Sequence, residues 1–303
     1  MEIPHKLKFL YKHWPYHASY KVKFSNENFL EKKLLNEIED FATERMLIWQ
    51  RRQKGVKPPY TKDPILQKYR FCNIYRELDR QTIEIHSILK DIKDFNLWLL
   101  NILFLRLICK PKTVKKTGLL NFDKFNNQNV YNKLSSLPRP KYGNAYVFPI
   151  SAIQKSDYPT REEFFCFYLP KIIRKVGDQI KALKRSSAVD ALKKVLPVFG
   201  YNFRFHWTEV LIDTAYQYPE LLDLYKEFPI GPGAEPTMKR IAVRGDPIKT
   251  CRKLVNIKLP KFSYLTYKGS KVYLSAENWE GIGCEFRKYT NLSKGKGRVR
   301  RFG

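Results

Sequence analysis

Four short stretches of this sequence carry residue types able to hold or transfer a charged group. The densest is YRFCNIYRELDR, residues 69–80. On a helix, Asn73, Arg76 and Arg80 stand three and four residues apart and share a face. Asp79 follows three after Arg76, and Phe71, Ile74 and Leu78 form the opposing apolar stripe. Two chemistries fit this set. One is a solvated, salt-bridged helix surface. The other is a groove in which guanidiniums grip a phosphate through their planar fork of donors.

The second stretch is VLPVFGYNFRFHWTEVLIDTAYQYP, residues 195–219. An apolar helix end, Gly200 and a new helix make a hairpin whose turn can offer backbone N–H groups to a phosphate, with Arg204 beside it. Asp213 lies one helical turn after Glu209 in apolar surroundings, where an unpaired carboxylate is costly. It is either a reactive base or an Asp bonded to a neighbouring helix end or arginine. The third stretch, FPIGPGAEP, sets Gly231 and Gly233 around a proline, so the backbone can approach a ligand closely; an ordinary turn fits equally. The fourth, GCEFRKY, puts Lys288 one turn after Cys284. A buried structural cysteine is the preferred reading over a nucleophile.

Helices must position these residues. Apolar periodicity predicts one from a cap at Asn26 or Asn28 to a stop at Gly55. A second is predicted from Ile65 through the arginine set to Ile92, and a third over Phe95–Cys109. Further helices are expected over 162–185, over 188–199 with a serine cap, and over 204–225. The last is expected near the C-terminus, broken around Gly281 and Gly283. Strand signals are sparse, and the fold class is mostly α. The expected organisation is one helical domain over residues 1–303 in two lobes, about 20–135 and 160–290, with a basic tail over 291–303.

The 57 Lys+Arg against 29 Asp+Glu give a formal charge of +28. Such a surplus speaks to partners rather than to fold, and a phosphate polymer is the simplest partner. The longest apolar run is too short to span a bilayer and carries Arg106, so no membrane partner is expected. With 43% hydrophobic and 15% aromatic residues the chain can build a core. Five cysteines, at 72, 109, 166, 251 and 284, form no CxxC and have no histidine at ligand spacing. Neither a disulfide framework nor a metal site is expected, and the cytoplasm fits best. There is no GxxxxGK[ST], GxGxxG, HExxH or GxSxG, and no cofactor is expected.

In this order the pieces resemble the helical domain of 5-hydroxymethyluracil DNA kinases. That domain is shared with the alpha-glutamyl/putrescinyl thymine pyrophosphorylases, the amino-acid:DNA transferases of phage thymidine hypermodification. The residues that carry the resemblance are Gly55, Pro58, Asp63, Arg70, Phe71, Asn73, Arg76, Asp79 and Arg80, then the hairpin ending in Asp213. Gly231–Ala234 and Cys284, Glu285, Phe286, Lys288 and Tyr289 complete it. The chain departs from the family at Leu211–Ile212, where a polar residue often precedes the hairpin Asp.

The resemblance implies an architecture related to helix-hairpin-helix DNA glycosylases. The implied partners are double-stranded DNA carrying a modified uracil and a small amine or amino acid. The amine displaces (pyro)phosphate from the 5-methylene of modified hydroxymethyluracil, a change that would protect viral DNA from host restriction. The missing P-loop favours the transferase over the kinase. On that reading Asp213 is the first candidate base and Asp79 the second, with Arg76 catalytic. Arg70, Asn73, Arg80, Gly231 and Gly233 would hold substrate or phosphate. Gly200, Arg204, Trp207, Lys288, Lys296 and Arg298 would contact DNA, with Tyr201, Phe203, Phe205 and Trp207 as walls for a flipped base. The competing readings are a non-catalytic helix-hairpin-helix DNA-binding protein, a kinase-associated helical subunit and a DNA glycosylase.

Overall fold

A computed structural model describes residues 1–25, 30–242 and 245–296. The chain is helical apart from one two-stranded antiparallel sheet among the described residues. The helices are α1 (His5–Leu10), α2 (Trp14–Ser19), α3 (Lys32–Gln53), α4 (Pro64–Lys68), α5 (Arg80–Leu89), α6 (Phe95–Ile108), α7 (Pro111–Thr117) and α8 (Lys124–Ser136). There follow α9 (Arg161–Glu163), α10 (Leu169–Lys181), α11 (Ala188–Phe199), α12 (Arg204–Gln217), α13 (Glu235–Ile241), α14 (Pro247–Leu254) and α15 (Ala276–Ser293). Strands β1 (Leu265–Tyr267) and β2 (Ser270–Val272) pair around Lys268 and Gly269, both at positive φ, the backbone that a tight hairpin requires.

Two compact units share the chain. The first comprises Met1–Phe9, His13–Asp79 and the residues from Leu224 onward; the second comprises Leu10–Lys12 and Arg80–Asp223. These boundaries differ from lobes at about 20–135 and 160–290, because α15 packs on α3 and α4 and so draws sequence-distant segments into one unit.

In the first unit, Glu31 caps α3 by accepting the Lys33 and Leu34 N–H groups at 3.2 and 2.6 Å; the caps expected at Asn26 or Asn28 fall outside the described residues. Helix α3 buries Leu34, Ile38, Phe41, Ala42, Met46 and Trp49 along one stripe. The helix expected from Ile65 to Ile92 does not exist as one piece. Asp63 caps α4, the chain then runs extended to Tyr75, and a 3-10 turn over Arg76–Leu78 leads to α5. Side chains take the hydrogen bonds that a helix would supply. The Cys72 N–H donates to Glu285 and the Asn73 N–H to Asp79. Asn73, Arg76 and Arg80 therefore do not share a helical face.

Helix α15 is unbroken through Gly281 and Gly283. A glycine costs a helix about 1 kcal/mol relative to alanine, but here packing outweighs it. A Cβ on Gly283 would lie 2.5 Å from the Met238 methyl of α13 and 3.4 Å from the Ala234 Cβ, so glycine at this position lets the two helices pack without displacing Met238.

The second unit is built around α6, which packs against α10 and α12. Twelve of its fourteen residues are buried, which explains its apolar character on all sides. Between α9 and α10 the helix widens to a π-turn over Phe164–Tyr168, where Leu169 donates to Phe164 five residues back. Pro170, which follows, has no N–H to give to Cys166. Helix α12 ends at Gln217 rather than running to 225, since Pro219 disfavours helical backbone just before it.

Candidate functional site

Three of the four quoted motifs meet within the first unit, brought together by the extended segment 69–75, the 3-10 turn, the Gly231–Ala234 turn and α15. Tyr289 Oη donates to Asp63 at 2.6 Å, and the Lys288 ammonium donates to the Arg70 carbonyl. Lys288 also lies 4.6 Å above the Phe71 ring and 3.5 Å from Glu285. Arg45, buried on α3, holds the Phe71 and Cys72 carbonyls through Nη2 at 3.0 and 3.1 Å. Burial lowers its guanidinium from the ordinary arginine range, while Glu285 favours the charge. The extended segment is thus clamped from both sides.

The turn lies against α15. The Gly231 N–H donates to Glu280 Oε1 at 3.2 Å, and Arg287 donates to the Pro232 carbonyl at 2.6 Å. A Cβ on Gly233 would sit 2.4 Å from Cys284 Sγ, so the absent side chain is what lets the turn seat. Gly233→Ala is accordingly expected to cost about 1–3 kcal/mol in urea unfolding. Cys284→Ala should recover most of that loss, and a double variant no better than Gly233→Ala would contradict the contact. Burial, with Glu280 and Glu285 nearby, pushes the Cys284 thiol up to about 12, which disfavours the thiolate that a nucleophile requires.

Carboxyl groups dominate the centre of this arrangement. Asp79 is half-buried and accepts from the Asn73 N–H and Nδ2, both at 2.9 Å. Loss of water raises its carboxyl to about 6 against the lowering effect of the Asn73 bond and the Arg76 charge. Burial likewise raises Glu277, with Glu77 adding to the effect, and raises Glu280 despite its bond from Gly231. The Arg76 guanidinium lowers all three carboxyls, so one cation serves Asp79, Glu277 and Glu280 together. Such a set can take a proton near neutral pH and can hold a cationic nitrogen.

Glu277 and Glu280 were not among the residues picked from the sequence. Their i, i+3 spacing in ENWEGIGCE, beside small residues, was the available signal. The remaining phosphate candidates do not join the cluster. Arg70 is exposed, and Arg80 is exposed at the start of α5 in the second unit.

Asp213 belongs to the second unit and has a different occupation. Its carboxylate is fully buried and takes Arg106 bidentately, Nε to Oδ2 at 2.5 Å and Nη2 to Oδ1 at 2.6 Å. His86 Nε2 lies 2.9 Å from Oδ1, and the His86 Nδ1 is 3.0 Å from Gln217 Nε2. Burial alone would raise this carboxyl. The Arg106 charge and the bonds from His86 and Arg106 outweigh burial and hold it well below the usual range. A carboxylate so fully engaged is a poor proton acceptor. Asp213 is the arginine-bonded aspartate that the sequence left open, and the geometry does not support it as first-choice base.

The hairpin of the second unit sorts its aromatics by exposure. Gly200 ends α11 at φ +124°, and a 3-10 turn over Tyr201–Phe203 leads into α12. Trp207 is fully buried, 5.1 Å from Phe199, and Phe203 is buried in a stack on Phe164 at 5.3 Å. Neither can face a base. Tyr201, Arg204 and Phe205 are exposed, and Phe205 leans edge-on against Tyr146 at 4.9 Å. Tyr146 in turn donates to Glu209 at 2.5 Å. Lys296 is exposed; Arg298 falls outside the described residues. No helix among the described residues is long and apolar enough to cross a membrane.

A family model described as the helical domain of 5-hmdU DNA kinase matches residues 32–298. A 5-hmdU DNA kinase of Bacillus phage SP10 is 36% identical over 83 residues, which cover 25% of this chain and 13% of that protein. No solved structure matches the chain.

Proposed function

The chain belongs to the family of the 5-hmdU DNA kinase helical domain, and from that premise we propose that it is an amine:DNA transferase of phage thymidine hypermodification. Its substrate would be DNA bearing phosphorylated or pyrophosphorylated 5-hydroxymethyluracil, with an amino acid or polyamine as co-substrate. The observation that carries this reading is the set of raised carboxyls, Asp79, Glu277 and Glu280, gathered around Arg76 with the Gly231–Ala234 turn laid against them.

An amine attacks only as the neutral base, and a carboxyl titrating near 6 suits proton removal near neutral pH. In the proposed step the amine lone pair forms the C–N bond at the 5-methylene carbon. The C–O bond to the leaving group breaks, its electron pair departing on the (pyro)phosphate oxygen, and the surplus ammonium proton passes to Asp79. Glu277 and Glu280 would orient the incoming amine by hydrogen bonds, and Arg76 would stabilise the departing anion.

DNA contact is assigned to the hairpin, in the manner of a helix-hairpin-helix element. The Gly200 N–H is given to the Leu196 carbonyl, so the turn that follows Gly200 would offer backbone groups to a phosphate, Arg204 a charge, and Tyr201 and Phe205 stacking faces. Arg204→Ala is expected to reduce the slope of log K against log salt by about one unit. Tyr201→Ala should weaken single-stranded or modified DNA binding by about 1–3 kcal/mol. Equal affinity and slope in fluorescence anisotropy would remove the hairpin from the interface.

The whole reading is tested by incubating the protein with phosphorylated hydroxymethyluracil DNA and isotope-labelled glycine, glutamate or putrescine. Nucleosides are then analysed by mass spectrometry. Labelled, amine-bearing nucleosides are the expected result. Unchanged nucleosides with DNA still bound would leave a helical DNA-binding module, and abasic sites would indicate a glycosylase.

A further inference from the structure

Two histidines near the N-terminus and one glutamate of the 3-10 turn meet in the interior of the first unit. His13 caps α2, and His17 lies one turn further along that helix. Glu77 stands between Arg76 and Asp79. All three side chains are buried, at 0%, 7% and 1% exposure. One donor atom from each lies within 4.8 Å of the others. His13 Nε2 is 2.8 Å from Glu77 Oε1, and the two imidazole rings meet edge to face at 4.3 Å.

We propose that His13, His17 and Glu77 form a binding site for one zinc-type divalent metal ion, which holds the Arg76–Asp79 segment in position. The donor set is two imidazole nitrogens and one carboxylate oxygen, a combination that suits zinc with a fourth position for water. Imidazole ligands disfavour magnesium and calcium, whose partners are oxygens. Ligands at zinc–nitrogen distances of about 2.0–2.1 Å in a tetrahedron lie about 3.4 Å apart. The His13–Glu77 pair would open slightly and the widest pair would close, movements within reach of side-chain torsions.

Charge gives a second, independent reason. Glu77 acts unfavourably on the Glu277 carboxylate, and Asp79 and Glu280 add to the same negative centre. Arg76 is the cation that offsets them there. A divalent ion on Glu77 would relieve that excess from the other side. His13 and His17 precede the residues matched by the family model, so nothing in that match assigns the site.

The role inferred is positional. Glu77 is one residue from Arg76 and two from Asp79, so a metal on Glu77 would fix the backbone that aims both. The inference stands whether or not the protein transfers amines.

The test uses the full chain without an affinity tag, purified without chelator. Metal content is measured by inductively coupled plasma mass spectrometry. After EDTA treatment the protein is titrated with zinc and, separately, with cobalt(II). About one zinc per chain is expected, with visible d–d absorption of tetrahedral cobalt and a higher melting temperature on metal addition. His17→Ala and Glu77→Gln should lose the metal and the cobalt spectrum. His5→Ala, an exposed histidine of α1, should keep both. If a ligand variant does not fold, the wild-type titration decides. The absence of saturable one-to-one binding overturns the proposal, as does a metal retained by His17→Ala or lost by His5→Ala.

Discussion

Asp79→Asn is expected to lower the rate of amine transfer by about 100- to 10,000-fold while leaving DNA affinity unchanged. The side chain keeps its shape and an oxygen for the Asn73 N–H, so the local fold survives. What is lost is a proton acceptor held near 6 by the removal of water. The wild-type kcat/KM should therefore rise between pH 5 and 7 along a limb with an apparent pKa near 6, and that limb should vanish in the variant. Stability should move the other way. The folded carboxyl titrates above its unfolded value, so the folded state binds the proton more tightly. That contribution is complete below about pH 4 and disappears as pH rises through 6. Asp79→Asn should then be no less stable than wild type at pH 8. An active Asp79→Asn protein with the acid limb intact would remove Asp79 from the chemistry.

Arg106→Met should destabilise the second unit by about 3–5 kcal/mol, and Asp213→Leu by a comparable amount, because each leaves a buried charge without its partner. Arg106 is 1% exposed and Asp213 fully buried, so water cannot substitute. Replacing both, as Arg106→Met with Asp213→Leu, removes the two desolvation costs together and should return most of the stability. Urea unfolding of the four proteins closes the double-mutant cycle. A double variant as weak as the sum of the singles would show that the pair is not coupled. Asp213 titrates below its unfolded value, so the stability it confers is present above about pH 4 and is lost only in strong acid. At neutral pH the three-residue cluster is a fixed strut.

The sequence showed the helical class, the long apolar helix α6 and the hairpin around Gly200, because periodicity, a serine cap and glycine punctuation are local signals. Two charges set among apolar residues were also visible, Arg106 in α6 and Asp213 in α12. Their pairing was not, since nothing local ties residue 106 to residue 213. Segment 69–79 misled for a related reason. Its spacing suits a helix, but Glu285 and Asp79 take the backbone N–H groups of Cys72 and Asn73. One of those partners lies more than 200 residues away. Glu277 and Glu280 went unnoticed because Gly281 and Gly283 suggested a helix break, whereas packing against Met238 and Ala234 keeps the helix whole. His13 and His17 stand at helical spacing, but nothing local ties them to Glu77, which lies 64 residues after His13.

The route of the chain through its two units bears on the order in which they can be made. The second unit is almost one continuous stretch, Arg80–Asp223, joined by Leu10–Lys12. All of its parts are translated before α15. The first unit waits for that helix, which carries Glu277 and Glu280 and packs on α3 and α4. During synthesis α3, with its stripe of Phe41, Met46 and Trp49, must remain without its final cover for more than 200 residues of elongation. A stop codon between Leu224 and the start of α15 would spare every helix of the second unit and still leave the carboxyl cluster unassembled.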